Sequence, residues 1–212
     1  MDAIFRTYFH FLHSKYSSKA GLPDSFTGVP DFKTVKEADN CWEWAPHQWF
    51  NQGCVAVSSE EGTVGKPLND NGGGIFALEW DPAGKYIKSW VFTPHDNAPQ
   101  NIHDAIRTSD NEEGDRIEPD TSLWGLPYAY FAIGEGTGCS AEHFKDIHIV
   151  FNLAFCGTVA GNRFFKDCAA ETEAFNVNND PVKSCEAYIK SRPEELSNAH
   201  WKIKGLYVYE RE

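Results

Sequence analysis

The chain has 212 residues, a formal net charge of -12 at pH 7 and an aromatic share of 14%. With 19 Lys and Arg against 31 Asp and Glu, it lacks the basic footprint that a phosphate backbone requires, which excludes nucleic acid as the partner. No apolar run approaches the ~20 residues of a membrane span, so no membrane partner is expected, and the length suits one substantial domain.

In chain order, residues 1–22 read as a short amphipathic helix with Ile4, Phe5, Tyr8, Phe9 and Leu12 on one side. Arg6, Thr7, His10 and His13 interrupt the apolar stretch, so it does not spell a secretory signal. Residues 23–50 carry Pro, Asp, Gly and Trp without a period and read as loop. Strands are expected over 52–57, 74–80, 85–92, 127–132, 145–155 and 200–209. Asp81-Pro82-Ala83-Gly84 reads as the turn of a hairpin, with Gly84 supplying a left-handed exit.

Over 145–155, Ile147, Ile149, Phe151, Leu153 and Phe155 alternate with His148, Val150, Asn152 and Ala154, giving one apolar face and one smaller, more polar face. The acidic stretch 103–120 shows no period and reads as loop. Pro181 opens a short helix through Cys185, Tyr188 and Ile189.

Six cysteines, Cys41, Cys54, Cys139, Cys156, Cys168 and Cys185, contain no C-x-x-C pair. That argues against zinc and for disulfides in an oxidising compartment, with the pairing left open. Six reduced, buried thiols are the competing reading.

The run E-G-D-R-I-E at 113–118 sets Glu113, Asp115 and Glu118 in an E-x-D-x-x-E spacing. A retaining glycosidase needs two carboxyl groups roughly 5–5.5 Å apart, one to attack the sugar and one to move the proton. A strand with a bulge brings residues of this spacing to one face. Here Gly114 and Arg116 stand where a buried strand would carry apolar residues, and Pro119 follows. The run therefore reads as a solvated loop. No catalytic residue is assigned, and Glu113, Asp115 and Glu118 remain the candidates.

Glu79 and Asp81 share a strand face, but the turn takes Asp81. Asp110, Glu112, Glu113 and Asp115 lack the spacing of a calcium loop, and His143 and His148 lack a third ligand. No metal and no cofactor are expected.

Five segments then carry a resemblance: NQGCVAV, NDNGGGIFALEWDPAGKYIKSWVF, EPDTSLWGLPYAYF, HFKDIHIVFNLAFCGTVAG and NAHWKIKGLYVY. In order and spacing they resemble glycoside hydrolase family 16, in the fungal-type laminarinase, or endo-1,3(4)-β-glucanase, group. The resemblance covers about residues 40–210 and matches the C-terminal part of that domain. It implies an all-β jelly-roll sandwich (concanavalin A-like), incomplete on its N-terminal side, with residues 1–39 unmatched and 40–212 as the sandwich part. It implies retaining hydrolysis of β-1,3 or 1,3/1,4-glucan, a β-glucan partner and an extracellular setting.

The family's catalytic strand, of the form E-[ILV]-D-[IV]-[IV]-E, should lie ahead of Cys41, where this chain has no such run. After Phe-Cys the family reads Gly-Asp-Trp-Ala-Gly; this chain reads Gly157-Thr158-Val159-Ala160-Gly161. It also has Pro94-His95 where family members often read Pro-Arg. The chain is therefore expected to be inactive alone, with a glucan-binding module or a truncated product as the alternatives. A missing N-terminal half or a swapped dimer would complete the sandwich.

Sugar contact is expected from Trp124, which opens one family segment, and from His148 and Asn152 on the polar face of 145–155. Trp42, Trp44 and Trp49 cluster in a loop, where packing competes with sugar stacking.

Overall fold

The structure is a computed structural model, and its described residues are 42, 44, 46, 58, 62–111, 116–137, 139–153 and 155–210. The expected helix over 1–22, the expected strand 52–57, Trp49, Cys41, Cys54 and the boundary at 39/40 lie outside them. Residues 147–206 make one compact unit, and the described residues before 147 and after 206 make another.

In the larger unit, a short helix α1 (Gly65–Asp70) precedes the hairpin. β1 (Ile75–Asp81) pairs antiparallel with β2 (Tyr86–Phe92), from Ile75 opposite Phe92 to Asp81 opposite Tyr86. β3 (Ala129–Ala132) pairs antiparallel with the other edge of β2, giving the order β1-β2-β3. The turn forms where the sequence places it, for a different reason. Lys85, not Gly84, takes the left-handed conformation, at φ 63°. Gly84 is required by space: a Cβ there would stand 2.6 Å from both Asp81 Oδ2 and Tyr86 Cε1. The Gly84 N–H donates to Asp81 Oδ1 at 2.6 Å.

The two sheet faces differ. Ile87, Ala129 and Phe131 share one, and pack with Tyr128, Ile133 and Cys139 into the core of this unit. On the same face β1 presents Phe76, Leu78 and Trp80 to solvent. The opposite face carries Glu79, Tyr86, Lys88, Trp90 and Tyr130.

Part of the expected loop 103–120 is helical: α2 spans Gln100–Asp110. Ile102 and Ala105, three apart, bury its inner side. The acidic residues around it hid that spacing. Residues 116–120 are irregular.

The other unit is helical, with α3 (Thr158–Asn162), α4 (Phe164–Asp167), α5 (Thr172–Phe175) and α6 (Pro181–Ser191). Pro181 opens α6 as expected, since the first turn needs no N–H from it. Asp180 Oδ1 caps the helix by accepting from Val182 N at 3.0 Å and Lys183 N at 3.1 Å. Phe164, Cys185 and Tyr188 form a small core with Cys156, Phe165, Cys168, Phe175 and Ile189 packed on it. A disulfide joins Cys156 to Cys185, while Cys139 and Cys168 are free thiols.

Two expected strands are corrected. The described residues of 145–155 and 200–209 form no strand. Ile147, Ile149, Phe151 and Phe155 are exposed, as are Trp201, Ile203, Leu206 and Val208. Alternation marks the two faces of an extended chain, but a strand needs a neighbour to accept its ladder of hydrogen bonds. Of the expected all-β architecture the described residues show a three-stranded antiparallel sheet, and among them helices hold more of the chain than the strands do.

Candidate functional site

A polar cluster sits on the face of the sheet opposite the core. Glu79 is only 8% exposed, and it draws its partners from β2 and from the loop that carries Thr121. Its Oε1 accepts from Thr121 Oγ1 at 2.8 Å and from Tyr86 OH at 3.3 Å. Lys88 Nζ lies 3.8 Å from its Oε2 and 3.7 Å from the centroid of the Tyr86 ring. The hairpin register creates this group, because Lys88 is the direct cross-strand partner of Glu79.

Above it opens a cavity of about 460 Å³ lined by Tyr86, Lys88, Glu118, Pro119, Asp120, Thr121 and Ser122. Its walls combine an ammonium group, carboxylates and hydroxyls, donors and acceptors that suit a polyhydroxyl ligand. Glu118, from the E-x-D-x-x-E run, is exposed on this rim. Glu113 and Asp115 lie outside the described residues, so no carboxylate separation is defined for the run.

Trp124 sits beside this face. Trp90 and Phe92 meet its ring at near-perpendicular angles, with centroids 5.0 and 6.3 Å away. Its indole N–H donates to Asn101 Oδ1 at 3.0 Å, and Asn101 Nδ2 in turn donates to the Asp120 carbonyl at 2.7 Å. α2 therefore orients the tryptophan.

In the helical unit, His148 and Asn152 are both exposed on an irregular segment. Trp201 lies beside that segment. Its indole N–H donates to the Asn152 carbonyl at 3.0 Å, and its ring meets Phe151 at 6.1 Å. No set of three His, Cys, Asp or Glu that could hold a metal ion gathers among the described residues. No helix there is long and apolar enough to cross a membrane.

The sequence reading passed over Lys88, Tyr86, Thr121 and Asn101. The first two were within reach: a turn at 81–84 puts Lys88 opposite Glu79 and Tyr86 opposite Asp81. The contacts of Thr121 and Asn101 span 42 and 23 residues, and no local pattern signals them.

Comparison with known proteins places the chain. Residues 12–209 match the family described as XgeA-like, catalytic GH16 domain. The chain belongs to glycoside hydrolase family 16. It is 34% identical over 158 residues to a protein of Neosartorya fischeri named a probable endo-1,3(4)-beta-glucanase, covering 74% of this chain and 21% of that one. It is 29% identical over 158 residues to the endo-1,3(4)-beta-glucanase xgeA of Emericella nidulans, covering 74% of this chain and 22% of that one. A solved structure of an elongating GH family 16 beta-1,3-glucosyltransferase aligns with a TM-score of 0.61 at 25% identity, over 88% of this chain and 52% of that one. The chain spans about a fifth of the length of the curated glucanase relatives it matches.

Proposed function

We propose that this chain is a β-glucan-directed domain of the type that hydrolyses β-1,3 or 1,3/1,4 linkages with retention, and that by itself it does not complete the cleavage. The observation that carries this reading is the family match over residues 12–209, set against the position of the one E-x-D-x-x-E run. That run falls at 113–118, between two family segments, and not ahead of Cys41. The reading assigns sugar contact to Trp124, His148 and Asn152, a jelly-roll sandwich to the completed domain, and an extracellular setting to its work. A missing N-terminal half, or a second copy exchanging strands, would complete it.

The test supplies laminarin to the purified chain and measures new reducing ends. None are expected. Robust release abolished by Glu113→Gln or Glu118→Gln would make the 113–118 run the active site after all. A non-catalytic glucan-binding module is the second reading, favoured by the Trp124 ring, which is fixed without any catalytic acid. Retention on insoluble β-glucan, weakened by Trp124→Ala, supports it; passage straight through removes it.

A further inference from the structure

The cavity over the sheet carries a recognition chemistry of its own. Lys88 is held from two sides: its Nζ lies 3.8 Å from Glu79 Oε2 and 3.7 Å from the centre of the Tyr86 ring. An ammonium group has three N–H donors, and these two neighbours engage at most two of them. The group is therefore already placed, with a donor left for a ligand, and binding need not freeze a loose side chain. Glu118 stands on the rim of the same cavity. It is exposed, and among the described residues it makes no ion pair or hydrogen bond. The hydroxyls of Thr121 and Ser122 spend their protons on Glu79 Oε1 at 2.8 Å and on Asp120 Oδ1 at 2.6 Å. Their oxygens can still accept. Pro119 and the Tyr86 ring add apolar wall.

Charge narrows the ligand class. The carboxylates of Glu79, Glu118 and Asp120 outnumber the one ammonium group, which disfavours an anion, and that ammonium group repels a metal ion. A sugar hydroxyl is neutral and both donates and accepts, so two neighbouring hydroxyls can satisfy Lys88 and Glu118 together. The volume of about 460 Å³ lies within the roughly 300–1,000 Å³ of small-ligand sites.

We propose that this cavity binds a short neutral oligosaccharide, with Lys88 donating to one sugar hydroxyl and Glu118 accepting from another. Its identity as a β-1,3-linked gluco-oligosaccharide rests on the glucan-directed reading above. The site needs neither His148 nor Asn152, which belong to the other unit. It adjoins Trp124, which follows Ser122 by two residues and packs on Trp90, the next residue after Lys88 on this face of β2. Glu118 then has a binding role, not a catalytic one.

The test titrates laminaritriose into the 15N-labelled chain and follows the backbone amides. Saturable shifts are expected at Glu118, Asp120, Thr121 and Ser122. Glu118→Ala should weaken binding about tenfold, as the loss of a hydrogen bond to a charged group does. Ser122→Phe, which fills the cavity, should abolish it. Urea midpoints establish that each variant folds, and the shift map of the unaltered chain decides the matter if one does not. Silent amides over 118–122, unchanged affinity in folded Glu118→Ala, or equal shifts from glycerol overturn the proposal. If those amides are silent while the chain is still retained on insoluble β-glucan, this inference falls and the glucan-directed reading stands. Saturable shifts with maltotriose but none with laminaritriose would keep the sugar site and remove the β-glucan reading.

Discussion

Thr121 donates its hydroxyl to the buried carboxylate of Glu79 at 2.8 Å, joining the loop over the sheet to β1. A hydrogen bond to a charged group contributes about 1.5–3 kcal/mol. Thr121→Val keeps the shape and removes the donor, so it should lower stability by about that amount. Thr121→Ser should retain most of it. Urea unfolding midpoints of the three proteins decide the matter, and equal loss in both variants would locate the effect in packing.

Asn101 fixes the Trp124 indole through one hydrogen bond and the Asp120 carbonyl through another. Asn101→Ala frees both. The tryptophan emission should shift, and retention on insoluble β-glucan should fall if Trp124 is a sugar contact. Asn101→Asp keeps an acceptor for the indole and should restore the emission.

Phe131 and Phe76 lie on the same face of the sheet and answer differently to truncation. Phe131 is 4% exposed within the core, and Phe131→Ala should cost about 3–5 kcal/mol. Phe76 is 52% exposed, and Phe76→Ser should stay within about 0.5 kcal/mol. Thermal unfolding checks both.

Asp180 gives the helical unit an acid-side sensitivity. Hydrogen bonding from the Lys183 N–H, foremost, holds its carboxyl below the ordinary value, against an opposing push from desolvation. A carboxyl lowered in the folded state adds stability above its unfolded value, about pH 3.9, and loses it as pH falls through the folded value. Helicity followed by circular dichroism should therefore drop on acidification less steeply in Asp180→Asn, which keeps the cap without the charge. Asp180→Ala should lose helicity at neutral pH as well.

The sequence showed the hairpin and α6 because each carries its own instructions. Asp81 and Gly84 make the turn, and Asp180 with Pro181 starts the helix. α2 was legible in the spacing of Ile102 and Ala105, had the acids around it not been given more weight. The segments around Ile149 and Ile203 mislead in the other direction. Their alternation is plain, but the partner that makes a strand is not local information. The site divides in the same way: Lys88 follows from the register, whereas Asn101 and Thr121 arrive through the fold alone.

Tyr207 donates to both carboxylate oxygens of Asp110, at 2.9 and 3.1 Å, and Ser109 donates to the Tyr209 hydroxyl at 3.2 Å. These bonds fasten the last turn of α2 to residues 97 and 100 positions later. Closing so long a loop carries a large entropy term before any contact offsets it, so the clasp belongs to the late side of the folding barrier. Breaking it with Tyr207→Phe should leave the rate of folding nearly unchanged and quicken unfolding. The clasp works as a kinetic lock on the larger unit, which the chain leaves at Asp146 and re-enters at Tyr207.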